Sequence, residues 1–168
     1  MVSGAGALSC SDAAVLAAER GEEEAVLAWL DGGGRADATY ERDGSSGVTL
    51  LMGAACKGHE RVVELLLQHG AHVNLQSSIG ITALMIAAGT GHELRVVELL
   101  IRHGAEINLQ SSNGGTALMG AAHHGHERVL ELLLRHGAEI NLQDSNGNTA
   151  LMLAARNGHE RVVDLLIR

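Results

Sequence analysis

The sequence predicts an all-α repeat solenoid built of stacked helix–turn–helix units. Three observations carry this reading. A threonine-led segment, clearest as Thr82-Ala-Leu-Met-Ile-Ala-Ala, recurs at Thr49, Thr82, Thr116 and Thr149, spaced about 33, 34 and 33 residues apart, a period that signals stacked repeats. Each copy leads to Gly-His-Glu, from Gly58, Gly91, Gly125 and Gly158, and then to an apolar run such as Val62-Val63-Glu64-Leu65-Leu66-Leu67. Three copies continue to His-Gly-Ala (from His69, His103 and His136) and Asn-Leu-Gln (from Asn74, Asn108 and Asn141). A unit copied several times does not easily hold a single catalytic centre. It builds a long surface.

Each element of the unit has a local cause. Thr82 stands at a helix N-cap, where its hydroxyl can accept from a backbone N–H in the first turn. Ala83 to Ala88 continue a short helix, with small residues where a neighbouring helix can approach, and Gly91 ends it and turns the chain. The second helix carries Val96, Val97, Leu99, Leu100 and Ile101, too many apolar positions for a helix with one wet side, so the units before and after must cover it. His103 falls in its last turn, where a partial positive charge suits the helix dipole, and Gly104 supplies a left-handed stop. Asn108 and Ser111–Gly114 are local turn chemistry joining one unit to the next.

Composition bounds the chemistry. Apolar residues make up 46% of the 168 positions but aromatics only 1%, so the core must be aliphatic. There is no proline, and the 22 glycines are too regularly spaced to mean disorder. A net charge of −8, without clustered cations or aromatic stacking platforms, argues against nucleic acid as a partner. Cys10 and Cys56 stand at unrelated places in the repeat, which is no disulfide framework and points to a reducing compartment. No apolar run approaches the ~18–20 residues of a membrane span, and Met1–Gly6 lacks the positive start of a signal peptide. The expected location is cytoplasmic, with the nucleus compatible, and no membrane partner is expected.

The recurring Thr-x-Leu, Ala-Ala-x-x-Gly-His, Val-Val-x-Leu-Leu and Gly-Ala-x-x-Asn elements resemble the ankyrin repeat closely from Gly44 to Arg168. The resemblance implies a β-turn, two antiparallel helices and an outward hairpin loop in each unit. It divides the chain into a flexible N-terminus (1–10), a degenerate N-terminal capping repeat (11–37), a longer inter-repeat loop (38–43), and repeats at 44–76, 77–110 and 111–143. The repeat at 77–110 has a one-residue insertion within Gly91-His92-Glu93-Leu94, and a truncated last repeat occupies 144–168. In the cap, Ala17-Ala18-Glu19-Arg20-Gly21 keeps the repeat order, with Glu22–Glu24 as a solvated helix start; terminal repeats are expected to be atypical because one face meets water. The loop around Tyr40 reads as a tolerated insertion more readily than as a contact.

The chain departs from the family's Thr-Pro-Leu-His. Pro is replaced by Leu50, Ala83, Ala117 or Ala150, each forfeiting about 0.4–1 kcal/mol of preorganisation. His is replaced by Met52, Met85, Met119 or Met152, exchanging a family hydrogen bond for an apolar contact. The sequence stops at Arg168 inside a second helix, which reads as a fragment or a truncated gene product. Part of Val162, Val163, Leu165, Leu166 and Ile167 should then face solvent, at about 1.5–3 kcal/mol for each side chain that loses its cover.

By the same resemblance, function lies in protein recognition through turn tips and the concave face of the first helices. Carried over unit by unit, the turn tips are Ser45, Ser46 and Val48; Ser78, Ile79 and Ile81; Ser112 and Asn113; and Ser145, Asn146 and Asn148. The helix ends add Lys57, Thr90, His123, His124, Arg156 and Asn157. Most of these positions differ between copies while their neighbours repeat. Ile79 and Ile81 are the best apolar anchor, and the scarcity of Trp, Tyr and Arg on this face means a partner must bring large side chains of its own. The expectation is a non-catalytic, monomeric scaffold with no cofactor and no metal, its uncapped C-terminal end open to self-association. The alternative is a structural or regulatory ankyrin segment of a larger enzyme or channel. His123-His124-Gly125-His126 lacks the spacing of closed zinc motifs; His59, His92, His126 and His159 are repeat residues, as are the helix-end His69, His103 and His136. Cys56 beside Lys57 has no orienting base.

Overall fold

The computed structural model describes residues 11–91 and 94–168. The N-terminus expected to be flexible (1–10), Cys10, and the His92-Glu93 pair at the expected insertion lie outside the described residues. The first helices of successive units are α1 (Asp12–Arg20), α3 (Leu50–Lys57), α5 (Ala83–Thr90), α7 (Ala117–His124) and α9 (Ala150–Arg156). The second helices are α2 (Glu23–Asp31), α4 (Glu60–Gln68), α6 (Leu94–Arg102), α8 (Glu127–Arg135) and α10 (Glu160–Ile167). Each first helix packs on the next first helix, each second helix on the next second helix, and the two helices of a unit on each other. The result is a two-layered helical stack. Among the described residues, no helix is long and apolar enough to cross a membrane.

The first helices start as the sequence predicts. The hydroxyls of Thr49, Thr82, Thr116 and Thr149 accept from the backbone N–H of Met52, Met85, Met119 and Met152 at 3.2, 3.2, 3.2 and 3.4 Å. Ser11 caps α1 in the same way. The core between the layers is aliphatic, as the composition requires. Rows of equivalent residues are closed to solvent: Val62, Val96, Val129 and Val162 in one, Leu66, Leu100, Leu133 and Leu166 in the next. The methionines that replace the family's histidine are buried in three units, while Met152, on the last first helix, is 53% exposed. At the C-terminal end Val162 and Leu166 are buried, Val163 and Leu165 are partly covered, and Ile167 is 64% exposed. The expected loss of cover thus falls on the outer part of α10.

The histidines that open α4, α8 and α10 fasten their units to the one before. Nε2 of His59, His126 and His159 donates to the carbonyls of Glu19, Gly89 and His123 at 2.8, 3.0 and 2.9 Å. Each accepting residue lies two places before the glycine that ends a first helix. Those glycines, Gly21, Gly91 and Gly125, have φ of 74, 60 and 75°, and a Cβ there would lie 2.7, 2.4 or 2.5 Å from the incoming imidazole ring. The glycine is therefore needed twice over: for the left-handed turn, and to admit the next unit's ring. His69, His103 and His136 act within their own helices, Nδ1 donating to the carbonyls of Leu65, Leu99 and Leu132.

The connections between units are bonded across the stack as well as locally. Nδ2 of Asn74 donates to Gly104 O and its Oδ1 accepts from Glu106 N; Asn108 repeats this with Gly137 and Glu139. These asparagines bridge units, a larger role than the local turn chemistry expected of Asn108. At the first junction Asp37 takes their place, accepting from His72 N at 2.8 Å and pairing with His72 Nδ1. Backbone bonds also link successive tips: Ser78 N to Ser46 O, Ser112 N to Ile79 O and Ser145 N to Asn113 O. On the second-helix side, Arg95–Glu60 and Arg161–Glu127 pair across neighbouring helices at 3.4 and 3.2 Å; such exposed pairs contribute little each.

The segment 38–43, read from sequence as a longer loop, carries regular structure. Strand β1 (Thr39–Arg42) pairs antiparallel with β2 (Ser45–Thr49), Tyr40 opposite Val48, with a register irregularity between Tyr40 and Arg42.

The fastening makes a quantitative demand on stability. Thr116→Ala should cost about 1 kcal/mol through the lost cap. Gly125→Ala should cost more, because it combines a positive φ with a clash against His159. Urea unfolding followed by far-UV circular dichroism gives both values. A double-mutant cycle of Gly125→Ala with His159→Ala should show coupling of about 0.5–3 kcal/mol, and strict additivity would refute the interlock.

Candidate functional site

The residues singled out from the sequence as contacts are distributed unevenly. Of the tips, Ser46, Ser78, Ser112, Asn113, Ser145 and Asn146 are exposed, Ser45 and Asn148 are half-buried, and Ile79 is 50% exposed. Val48 is buried in the core cluster, so its side chain offers nothing to a partner: in β2 the alternation of side chains turns it inward. Ile81 is half-buried against the core. Lys57, His124, Arg156 and Asn157 are exposed, while Thr90 and His123 are half-buried.

Several of these groups are already engaged. The Thr90 hydroxyl donates back to Ile86 O at 3.0 Å. Asn157 Nδ2 donates to His123 Nδ1 and to Leu153 O, which leaves the His123 proton on Nε2. The His123 and His124 rings meet edge to face at 4.7 Å. Partial burial, then the neighbouring His124, Arg156 and His159, hold the His123 imidazole below its ordinary pKa. Asp144 accepts from the side chain and backbone of Asn148 and from Asn146 N, and these bonds keep its carboxyl below the usual range. Among the described residues no group of three or more His, Cys, Asp or Glu converges as a metal would require.

Two hollows open on the first-helix side. One, about 570 Å³, lies between α5 and α7 and is lined by Ile81, Met85, Ile86, Gly89, Thr90, His124 and His126. The other, about 280 Å³, runs on towards α9 past Asn113, Met119, Gly120, His123, Asp144 and Leu153. The structure thus brings Ile81, Thr90, Asn113, His123 and His124 together and leaves Ser45, Ser46 and Val48 in the hairpin. Ile86 and Leu153 escaped the sequence reading. A signal existed for them, since the residue after each Thr-x-Leu-Met is Gly53, Ile86, Gly120 and Leu153, as variable as the helix ends. Another hollow, between α2 and α4, is lined largely by charged groups, among them Glu23, Glu24, Arg61 and Glu64.

The Tyr40 hairpin closes one end of the first-helix face. Tyr40 Oη donates to Glu19 at 3.4 Å, and Arg42 pairs with the same carboxylate. A Cβ on Gly53 would lie 2.6 Å from that phenol oxygen, so the glycine gives Tyr40 its seat. Burial, and then the Glu19 charge, push the Tyr40 hydroxyl up to about 12. A raised folded-state pKa means that this contribution to stability is complete below the unfolded value near 10 and is lost as pH rises through 12. Tyr40 is the sole tyrosine, so its phenolate absorbance should titrate well above pH 10, and Glu19→Gln should move the midpoint down. An ordinary midpoint in the folded protein would contradict this seating.

Comparison with known families bears on what such a face does. A family model described as ankyrin repeats (three copies) matches residues 14–111 and again 84–168, from the first turn of α1 to the last residue. Ankyrin repeats are in general protein–protein interaction modules and are typically non-catalytic. With matches spanning nearly all of its length, the chain belongs to the ankyrin-repeat family.

Proposed function

We propose that this protein is a non-catalytic interaction scaffold that binds a partner protein through the hairpin tips and exposed face of its first helices, chiefly α5, α7 and α9. One observation carries the reading. Positions shared by all copies are consumed in caps, core rows and junctions, whereas Ile86, Thr90, His123 and His124 differ from their counterparts and gather around two adjoining hollows, with Arg156 exposed at the end of α9. Stacking constrains the first set and leaves the second free to be shaped for recognition. A cytoplasmic setting fits the free thiol of Cys56.

The test is a pull-down from cell extract with the chain as bait, beside a copy carrying Ile79→Asp, His123→Ala and Arg156→Ala. These positions are exposed or half-exposed, so both baits should melt within a few degrees of each other. A bound protein retained by the original and reduced about tenfold or more on the altered copy supports the reading. Equal retention by both baits places binding elsewhere and overturns it.

A further inference from the structure

The junction between α1 and α3 contains a worked example of what a first-helix hollow holds. Glu19, two residues before the end-glycine of α1, faces Gly53 of α3, and the phenol of Tyr40 fills the space between them. The equivalent residues two units later are Gly89 and Gly120. Neither carries a side chain, a Cβ on Gly120 would rest 3.4 Å from Gly89 Cα, and among the described residues no strand hairpin reaches over. The adjoining space is the hollow lined by Ile81, Met85, Ile86, Gly89 and Thr90 with the ring of His124. Its walls are apolar with an aromatic edge, and the chain supplies no second tyrosine or any phenylalanine to fill it.

The ends of the first helices carry cations or uncharged groups. The last residues of the five first helices are Arg20, Lys57, Thr90, His124 and Arg156, with no acid among them, although the chain as a whole carries −8. Glu19 is paired with Arg42, and Asp144, which lines the adjoining hollow, accepts from Asn146 and Asn148 and keeps its charge. Lys57 and Arg156 are exposed and make no ion pair among the described residues. They lie one helix outward from the hollow on either side, on α3 and α9. Packed helices are about 8–10 Å apart, so each cation stands about 12–15 Å from the hollow's centre. An extended chain covers that distance in about four residues.

We propose that the hollow between α5 and α7 takes an aromatic side chain from an acidic peptide segment of the partner, with Lys57 and Arg156 holding carboxylates on its two sides. This rests on the reading of the first-helix face as the binding surface and adds the class of ligand. The aromatic ring enters the hollow beside the Gly89–Gly120 contact, and the acids meet Lys57 and Arg156, neither of which makes an ion pair among the described residues. The long side chains of Lys57 and Arg156 tolerate a residue's shift in the spacing. Specificity then comes from the ring, and the salt dependence of binding from the charges.

The experiment is selection of a displayed library of random peptides on the full chain, followed by anisotropy of the enriched peptides labelled with fluorescein. Enriched peptides should carry an aromatic residue with Asp or Glu on both sides. Their affinity should fall with added salt and drop about fivefold or more on Lys57→Glu with Arg156→Glu. Thr90→Trp, which fills the hollow from its rim, should abolish binding while leaving the circular dichroism spectrum intact. Enriched peptides blocked by Thr90→Trp but without acids would overturn the acidic class and keep the face. Peptides indifferent to both variants would overturn the face as well. No enrichment at all would overturn the peptide proposal, because the face would then read a folded surface.

Discussion

The stack depends on a reciprocal fit between a glycine and a histidine in successive units. The glycine that ends a first helix must turn left-handed and must also leave room for an imidazole ring. That ring then satisfies a carbonyl near the helix end, one of the acceptors that a helix terminus leaves without an intrahelical partner. One bond therefore ends a helix, joins two units and sets how closely first helices approach. Without proline to preset the first turn, the chain leans on the threonine caps at one end of each first helix and this joint at the other.

What is fixed by the joint determines what is free. Within a unit, the threonine cap, the small residues of the first helix, the histidine and the bridging asparagine each have a partner in the structure. The residues that escape such duties lie on the open side of the first helices and at the tips. This division arises from packing alone and would exist in a stack that bound nothing. The step towards recognition is that the free residues are not uniformly polar: Ile81, Met85 and Ile86 make an apolar floor, and the first helices to either side, α3 and α9, end in cations.

Much of the fold was legible because period, caps and stops are local events. Thr82, Gly91 and Gly104 announce their roles within a few residues of sequence. Joints across units were not legible in the same way. His126 repeats visibly, but its acceptor, Gly89 O, lies in the preceding unit, and only the packed helices show the two meeting. Asn108 illustrates the same limit, since turn chemistry explains an asparagine there and conceals its bonds to Gly137 and Glu139. The hairpin was harder still. Thr39–Arg42 has no copy elsewhere in the chain, so repetition could not reveal that Tyr40 turns back onto Gly53. At the candidate site, comparison of copies found the helix ends and Ile81 but passed over Ile86 and Leu153, which stand inside the apolar run of the first helix.

The position occupied by Gly53, Ile86, Gly120 and Leu153 shows how one site in the repeat serves both rigidity and recognition. At Gly53 the missing side chain admits Tyr40, which ties the hairpin to α1 and α3 and closes that end of the face. At Gly120 the missing side chain lets α7 come against α5 beside Gly89, and the hollow stays open to solvent. Ile86, on the neighbouring α5, presents apolar surface towards the open face instead, while Leu153 on α9 is buried in the core. A chain so poor in aromatics cannot supply the large buried rings that dominate interface energetics. It can supply an apolar hollow whose walls are held by buried caps and inter-unit bonds, so little ordering entropy remains to be lost there when a ring enters. The flanking cations, exposed and screened, add direction more than strength. On the proposed reading, affinity on this face is set by how well one ring fits between α5 and α7, and orientation by the charges at Lys57 and Arg156.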